Sequence, residues 1–481
     1  MTWRILILLH RYLGVAIGAL MLMWFASGIV MLYVPYPILP EQDRLAMLQP
    51  ISWQACCGAP TGPLAAGQPV TRAEVESIAG TLAVRLSLPG HSGVLASIDA
   101  SEPEVPLDLP QARLIAAAAA QRSGVDPPQP ATQQTIVRDQ WTVGGEYNAD
   151  RPLMVFGFND RAGTRIYVSS HSGRVVLRTT ATQRFWNWLG AVPHWLYPTI
   201  LRSHVQLWTQ VVIWTAVAGV FLTTLGLYLG IVQFAARGKR LLSPYAGIWN
   251  WHHSLGLLFG ILTLTWVASG LISMNPWGFL DSGPGVQPPP AARSVTWGQV
   301  QASLVGIARR PAAPNIVSLG MAPLFGELFW IATEQGGARV RLDAAGHVSP
   351  LTAGQLLGAA QHTAGSHGIA SGMLLRSEDS YYYQRRGAIR LPIFRAIVND
   401  ADQTRLYLDP VSGRLLGQVD RAGRWQRWLF DGLHTLDFSA RLRTSMAWSA
   451  LLLLLLLGGL ALSATGTYLA VRRVICNIAH R

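Results

Sequence analysis

The sequence has little cysteine and little charge. Its 481 residues include three cysteines and no C-x-x-C pair, which argues against a zinc site or a thioredoxin-type site. Charged residues make up 13% of the chain, about half the share usual in soluble proteins. No Gly-x-Gly-x-x-Gly segment opens a βαβ unit and no His-Glu-x-x-His segment occurs. The sequence therefore indicates neither a dinucleotide-binding domain nor a metalloprotease site.

What the sequence does contain is four long apolar runs. Each is long enough for a helix rising about 1.5 Å per residue to cross a hydrocarbon core about 30 Å thick. Much of the net charge of +13 lies beside these runs, as in Arg237, Lys239, Arg240, Arg472 and Arg473. This placement predicts cytoplasmic span ends rather than a surface for nucleic acid. The predicted partner is a lipid bilayer, with both termini in the cytoplasm.

These signals divide the chain into eight segments and predict a membrane α-helical protein with α+β extracytoplasmic domains. The segments are transmembrane helix 1 (1–34), a first periplasmic domain (35–183), an interfacial segment with transmembrane helix 2 (184–235), a basic cytoplasmic loop (236–250), transmembrane helix 3 (251–275), a second periplasmic domain (276–423), an interfacial segment with transmembrane helix 4 (424–472) and a cytoplasmic tail (473–481). Within the first domain, an alanine-rich helix is predicted from Leu109 to Arg122. Alternating residues predict strands at 164–168 and 174–177, joined by a turn at Ser172-Gly173.

The chain contains an internal repeat. At a shift of 242 residues, His10 matches His252, Trp24 matches Trp266, and Ser27-Gly28 matches Ser269-Gly270; at a shift of 240, residues 164–167 match 404–407, 172–174 match 412–414, His194 matches His434, and Gly226 matches Gly466. Each copy holds two spans, so both copies insert with the same orientation. The sequence therefore predicts two parallel two-span repeats related by a pseudo-twofold axis along the membrane normal.

Four of the twelve histidines are matched between the copies: His10, His252, His194 and His434. Around the predicted axis, His10 would face His252 near the cytoplasmic surface, and His194 would face His434 near the external surface. Haem iron accepts an imidazole on each face, and ionisable residues in or beside spans are functional candidates by default. The pattern predicts two b-type haems, one per leaflet, ligated by these four histidines.

Two unmatched histidines remain substitutes as ligands. His253 is adjacent to His252 but aligns with Arg11, and His204 aligns with Thr444 although it lies closer to an apolar run than His194 does. A lone interfacial histidine is more often a plain hydrogen-bonding residue than a ligand, which is why the matched histidines are preferred. The small Ser-Gly pairs fit close helix packing, and their smallness would also leave room for a porphyrin.

The order of these motifs resembles that of the PepSY-associated transmembrane proteins. The resembling features are His-x-x-Leu-Gly at a span start (10–14 and 252–256), the Ser-Gly ending of the same helix, the hairpins at 167–176 and 407–416, and Leu433-His434-Thr435 before the last span. The individual motifs are short, whereas their order and duplication are more specific. The resemblance covers nearly the whole chain and implies a PepSY-like domain in each periplasmic region.

The family includes iron-regulated inner-membrane proteins and ferric-siderophore reductases that bind haem between four spans. The resemblance thus implies a dihaem reductase that passes electrons across the inner membrane to a periplasmic ferric siderophore or other ferric chelate. Some relatives carry a fused flavin reductase domain, and this sequence shows none. The implied electron donor is therefore separate, either a quinol or a soluble flavoprotein.

Two other functions stay open on the sequence alone. One is a transporter or permease component of siderophore or metal uptake, although the spans hold almost no ionisable residues at mid-membrane. The other is a non-catalytic module whose PepSY-like domains bind an envelope protein, which would leave the matched histidines unexplained. A candidate surface for an anionic or aromatic chelate comprises Trp141, Tyr147, Tyr381, Tyr382, Tyr383, Arg385, Arg386 and Arg390. The vicinal pair Cys56-Cys57 has no assigned role.

Overall fold

The computed structural model describes residues 2–52, 65–78, 81–88, 91–97, 107–236, 243–281, 286, 295–309, 315–387 and 389–479. The Cys56-Cys57 pair and the basic cluster Arg237, Lys239 and Arg240 lie outside these residues. The helices are α1 (Thr2–Tyr33), α2 (Glu41–Met47), α3 (Leu109–Arg122), α4 (Ala181–Leu189), α5 (Ala191–His194), α6 (Thr199–Arg202), α7 (Val205–Ala236), α8 (Gly247–Ser273), α9 (Trp297–Ala308), α10 (Ala353–Ala364), α11 (Arg421–Gln426), α12 (Leu433–Thr435), α13 (Ala440–Arg443) and α14 (Met446–Ala479).

The strands are β1 (Pro69–Val70), β2 (Arg72–Ile78), β3 (Thr81–Leu88), β4 (His91–Ser97), β5 (Thr132–Ile136), β6 (Leu153–Gly157), β7 (Arg165–Ser169), β8 (Val175–Thr179), β9 (Val295–Thr296), β10 (Ile316–Met321), β11 (Phe329–Glu334), β12 (Arg339–Asp343), β13 (Ile369–Leu375), β14 (Ile393–Val398), β15 (Arg405–Leu408) and β16 (Leu415–Val419). Helix α3 and the hairpin β7–β8 confirm the predictions at 109–122 and 164–177. Gly173 has a φ of 61°, a conformation that glycine adopts at no steric cost.

Helices α1, α7, α8 and α14 are long and apolar enough to cross a membrane. They form one bundle in which α1 packs on α14, α14 on α8, α8 on α7, and α7 on α1. Helix α8 begins at Gly247, four residues before the predicted start at 251. Phe25 and Trp266 lie in the buried core of the bundle. The ring of Phe25 packs on Gly459, where a Cβ would lie only 2.2 Å from the ring.

Two antiparallel four-stranded sheets lie outside the bundle. One has the strand order β5-β6-β7-β8 and the other β13-β14-β15-β16. Helix α3 covers the first through a core that includes Ala116 and Phe156, and helix α10 covers the second through Ala360 and Ala396. All four of these side chains are essentially inaccessible to solvent. A capping box begins each covering helix, at Asp108 for α3 and at Thr352 for α10.

The two predicted external regions also share a third sheet. Its six strands have the order β12-β11-β10-β2-β3-β4, so that β2 of the first region pairs antiparallel with β10 of the second. The fully buried Trp330 and Leu319 contribute to its core. Glu76, which is 0% exposed, bonds to both Arg44 and Arg85. The external parts of the two copies are therefore joined by backbone hydrogen bonds and a common core.

Candidate functional site: two histidine pairs

The first pair of histidines lies at the end of the bundle that faces the sheets. His194 ends α5 and His434 lies in α12, the short helices that follow the two four-stranded sheets in sequence. Their ring centres are 6.1 Å apart, and their planes are inclined by 71°. We call these residues the outer pair. A π-helical turn at Arg427–Gly432 leads directly into α12, and such turns frequently occur at functional sites.

Equivalent groups hold the two rings of the outer pair: a backbone carbonyl oxygen and a serine hydroxyl of a spanning helix. Nδ1 of His194 lies 3.1 Å from the carbonyl oxygen of Trp24 and 3.1 Å from Oγ of Ser27. Nδ1 of His434 lies 3.1 Å from the carbonyl oxygen of Trp266 and 3.1 Å from the Oγ of Ser269, the residue aligned with Ser27. A carbonyl oxygen can only accept, so each Nδ1 carries the proton and donates it.

The serine hydroxyls favour the same protonation state. Oγ of Ser27 lies 2.6 Å from the carbonyl oxygen of Met23, and Oγ of Ser269 lies 3.0 Å from that of Trp266. Each hydroxyl can donate to its helix carbonyl and accept from the histidine. With the proton on Nδ1, the neutral ring has an unprotonated Nε2. No hydrogen bond to either Nε2 occurs among the described residues. This is the arrangement in which a histidine serves as a metal ligand through Nε2.

The second pair lies at the opposite end of the bundle. From His10 to Ser27, α1 rises roughly 25 Å at 1.5 Å per residue, and α8 rises equally from His252 to Ser269. The ring centres of His10 and His252 are 6.4 Å apart, with planes inclined by 36°. We call these residues the inner pair.

The inner rings make fewer hydrogen bonds than the outer rings. Nδ1 of His252 lies 3.2 Å from Oγ of Thr465, whose hydroxyl can donate to the carbonyl of Leu462. The residue aligned with Thr465 in the first copy is Leu225, which has no hydroxyl. Nδ1 of His10 is buried and has no hydrogen-bond partner among the described residues. The backbone of Leu222 interacts with His10 electrostatically, but the two groups do not form a hydrogen bond of normal geometry.

A glycine faces each of the four rings. A Cβ added at Gly226 would lie 2.7 Å from Cε1 of His10, and at Gly466 it would lie 2.9 Å from Cε1 of His252. At Gly28 and Gly270 the corresponding distances, to the outer histidines, are 3.5 Å and 3.6 Å. The inner rings therefore occupy space that only glycine leaves free, whereas the outer rings make ordinary contacts.

The residues present fit a metal held between two imidazoles. Two imidazoles bound on opposite sides of one metal, through bonds of about 2.0 Å, have ring centres roughly 6 Å apart. Both pairs meet this spacing. The free Nε2 of each outer ring and the glycine beside every ring add two further features of a ligand site. Thus His194 with His434, and His10 with His252, are suited to hold one haem iron each.

The substitute histidines are not placed as a facing pair. Nε2 of His253 lies 3.0 Å from the carbonyl oxygen of Gly230, and its ring packs edge-on against Tyr245. This contact ties α8 to α7. His204 is exposed, and its Nδ1 lies 3.1 Å from the carbonyl oxygen of Ile200. Each has a local structural partner, and neither faces another histidine ring in the described residues.

Some residues have roles that the sequence did not indicate. Trp141 and Tyr147 are 4% and 8% exposed, so they belong to the core rather than to a chelate-binding surface as predicted. Thr465 was not identified, because its aligned residue is leucine. Ser27 and Ser269 were noted for their small size, but their hydroxyls contact the outer histidines. The sequence signal for this contact is that the Ser-Gly pairs and the outer histidines are both matched between the two copies.

The fold and the paired sites define a class of molecule. The chain is a membrane protein whose bundle of four apolar helices carries sheet-rich domains at one end. It belongs to the PepSY-associated TM region family, whose sequence pattern it matches over residues 7–473. That match covers nearly the whole chain. No curated protein matches it significantly.

Proposed function

We propose that the protein is a dihaem inner-membrane reductase that passes electrons from the cytoplasmic or membrane side to a periplasmic ferric chelate. A ferric siderophore in iron acquisition is the substrate that the family resemblance suggests. The observation that carries the proposal is the presence of two facing histidine pairs, at 6.4 Å and 6.1 Å, at opposite ends of one bundle.

The proposal includes a pseudo-twofold arrangement of two parallel two-span repeats. Supporting it, His194 and His434 bond to aligned groups, the carbonyls of Trp24 and Trp266. The two four-stranded sheets share strand order and a tyrosine–aspartate bond, from Tyr167 to Asp139 and from Tyr407 to Asp379. A pair of ligands facing across such an axis needs only one residue per copy.

The four histidines would hold two b-type haems, which supply one-electron carriers when bound. The carbonyls that accept from Nδ1 of the outer histidines keep Nε2 available as the ligand atom and make it more basic. The apolar core around Phe25 and Trp266 excludes water between the two ends. Electrons would enter at the inner pair from a separate quinol or flavoprotein and leave at the outer pair.

At the outer pair, the acceptor would be ferric iron held by hard oxygen ligands. Addition of one electron gives ferrous iron, which such ligands hold less strongly because it carries less charge. The family membership and the basic residues beside the spans support an inner-membrane location with cytoplasmic termini. On this orientation both sheet-rich regions lie in the periplasm, where a ferric chelate would arrive.

The test is an optical and redox titration of the purified full-length protein. Wild type should contain about two haems per chain, with a Soret band and a b-type α band in the reduced state. Replacement of either outer histidine by alanine should remove one haem, and replacement of either inner histidine should remove the other. His253→Ala is the matched control, since it alters a neighbouring buried histidine outside the pairs.

Folded wild-type protein without haem would contradict the proposal and favour a transporter component or an envelope-protein-binding module. Two haems that persist in all four alanine variants would instead show that other residues are the ligands. Unchanged binding in the four variants together with loss of haem in His253→Ala would transfer the inner site to that residue.

A further inference from the structure

The two sheet-rich domains contain equivalent turns, and the segments after these turns differ in charge. Asp139 accepts from the backbone N–H groups of Trp141 and Thr142, and the hydroxyl of Tyr167 donates to it. Asp379 makes the same three kinds of contact, with Tyr381, Tyr382 and Tyr407. The two aspartates are 240 residues apart, as the repeat requires. The two turns themselves are therefore structurally equivalent.

Beyond this common turn the two copies differ in the sign of their charged side chains. The first copy has Gly145, Glu146 and Asp150 where the second has Arg385, Arg386 and Arg390. A structural requirement of the turn alone would act on both copies alike. The three arginines are therefore not required by the turn itself.

The arginines of the second copy are next to the outer end of the bundle. Two hydrogen bonds run from the guanidinium of Arg386 to the carbonyl oxygens of Met31 and Leu32, at 2.7 and 2.6 Å. These carbonyls belong to the last turn of α1, the helix whose Ser27 contacts His194. Tyr383, two residues before Arg385, donates to Asp431 in the π-helical turn that leads to His434. The segment 383–386 thus contacts both elements that carry the outer site.

Most charged groups around Arg385 already have partners. Arg443 pairs with Glu378 at 3.1 Å and lies 3.6 Å from Asp437, which Arg427 approaches to 3.4 Å. The remaining carboxylate, Asp431, accepts from the hydroxyl of Tyr383. Of the four guanidinium groups in this cluster, those of Arg386, Arg427 and Arg443 each contact a carbonyl or carboxylate oxygen.

Arg385 is the guanidinium left over. It is exposed, yet desolvation by the surrounding protein lowers its pKa, with Asp431 and Asp437 acting in the opposite direction. No hydrogen bond or ion pair to its guanidinium occurs among the described residues. An exposed guanidinium without a bonded protein partner can form charge-assisted hydrogen bonds to an anion.

We propose that Arg385 binds a carboxylate or similar oxyanion at the outer histidine pair. The planar guanidinium presents parallel N–H donors that match two oxygens of such a group. This inference rests on the proposed function for the identity of the ligand. The anion has two possible sources: a carboxylate of the porphyrin bound at the outer pair, or an anionic ferric chelate that receives the electron.

The experiment compares Arg385→Gln, Arg385→Lys and wild-type full-length protein. Arg161→Gln is the control, because it removes the same charge from the exposed turn between β6 and β7 of the first domain, outside the arginine cluster. The probes are ferric–EDTA, which is anionic, and an uncharged ferric trihydroxamate. Three quantities are measured: haem per chain, the dependence of haem reoxidation on chelate concentration, and ferric–EDTA binding by equilibrium dialysis.

If the anion is the acceptor, Arg385→Gln should weaken the apparent affinity for ferric–EDTA roughly tenfold to hundredfold, as expected for loss of a charged hydrogen bond. The trihydroxamate and the haem content should not change, and added salt should reduce the difference. If the anion is a porphyrin carboxylate, haem per chain should fall from two towards one, with no selectivity between chelates. Lysine should restore part of either effect because it restores the charge.

Arg385→Gln protein that matches Arg161→Gln in all three measurements would overturn this inference while leaving the dihaem proposal intact. Colourless wild-type protein would overturn the dihaem proposal. In that case dialysis still decides whether Arg385 binds an oxyanion, because it needs no haem, and unchanged ferric–EDTA binding in Arg385→Gln would then overturn this inference too.

Discussion

The outer and inner histidine pairs have similar spacings, but different groups hold their rings in place. Each outer ring bonds to a backbone carbonyl and a serine, from aligned residues in both copies. Of the inner rings, His252 bonds to Thr465, whereas Nδ1 of His10 has no hydrogen-bond partner among the described residues. A backbone carbonyl is present whatever the side chain, so both outer rings can have the same partner. A side-chain partner depends on residue type, and Leu225 stands where the second copy has Thr465.

The largest difference between the pairs should appear when the shared six-stranded sheet is damaged. Glu76→Ala leaves Arg44 and Arg85 buried without their common carboxylate, at a cost of about 3–5 kcal/mol. The outer histidines follow the external sheets in sequence, whereas the inner histidines lie on spanning helices. We therefore expect the outer haem to be lost at a lower urea concentration than the inner haem, followed by the two α bands. Simultaneous loss would contradict this separation.

Acid should have a related effect on the same sheet. Although burial opposes ionisation, Arg85 and Arg44 lower the pKa of Glu76 to about 2. The folded pKa lies below the unfolded value, so the stabilisation is present above about pH 4.3 and is lost as the pH falls towards 2. Urea midpoints of wild type and Glu76→Ala should therefore converge over this range. Midpoints that remain equally far apart at pH 2.5 would exclude Glu76 ionisation as the cause.

Substitution of the glycines should instead affect the inner haem more than the outer haem. Gly226→Ala and Gly466→Ala place a Cβ within 3 Å of an inner ring, which must move, whereas Gly28→Ala and Gly270→Ala create ordinary contacts. We expect the first two variants to lose the inner haem or most of its occupancy, while the second two keep both haems. Haem stoichiometry provides the measurement. Equal loss in all four variants would show that the glycines serve helix packing alone.

The smallest expected effects concern the hydrogen bonds to Nδ1. Thr465→Ala removes the hydrogen bond that holds His252, whereas Ser27→Ala leaves the carbonyl of Trp24 in place for His194. A net hydrogen bond is worth about 0.5–1.5 kcal/mol, and a tenfold change corresponds to about 59 mV for one electron. Loss of the bond makes the imidazole less basic and favours reduced iron. Thr465→Ala should raise the inner midpoint potential by a few tens of mV, and Ser27→Ala should shift the outer potential less. A larger shift in Ser27→Ala would reverse the ranking of the pairs.

The parts of the fold with strong local signals were predictable. The four spans follow from unbroken apolar runs, and α3 and the β7–β8 hairpin follow from composition and turn residues. The shared sheet was not predictable, because the pairing of β2 with β10 joins residues more than 240 positions apart. Nothing local in either strand identifies its partner. Likewise, the interior positions of Trp141 and Tyr147 depend on packing, since aromatic residues suit both a core and a binding surface.

The sequence by itself determined four spans, the family, and a short list of matched histidines, because apolar run length and internal repetition are properties of the chain. Only the tertiary structure decided the details of the sites. It brought His10 to His252 and His194 to His434, gave the outer rings backbone partners, and placed His253 against Gly230 instead. The physical reason is that ring orientation and hydrogen bonding depend on contacts between helices distant in sequence. Within the described residues, those contacts also leave the guanidinium of Arg385 without a bonded partner, which its sequence neighbours do not reveal.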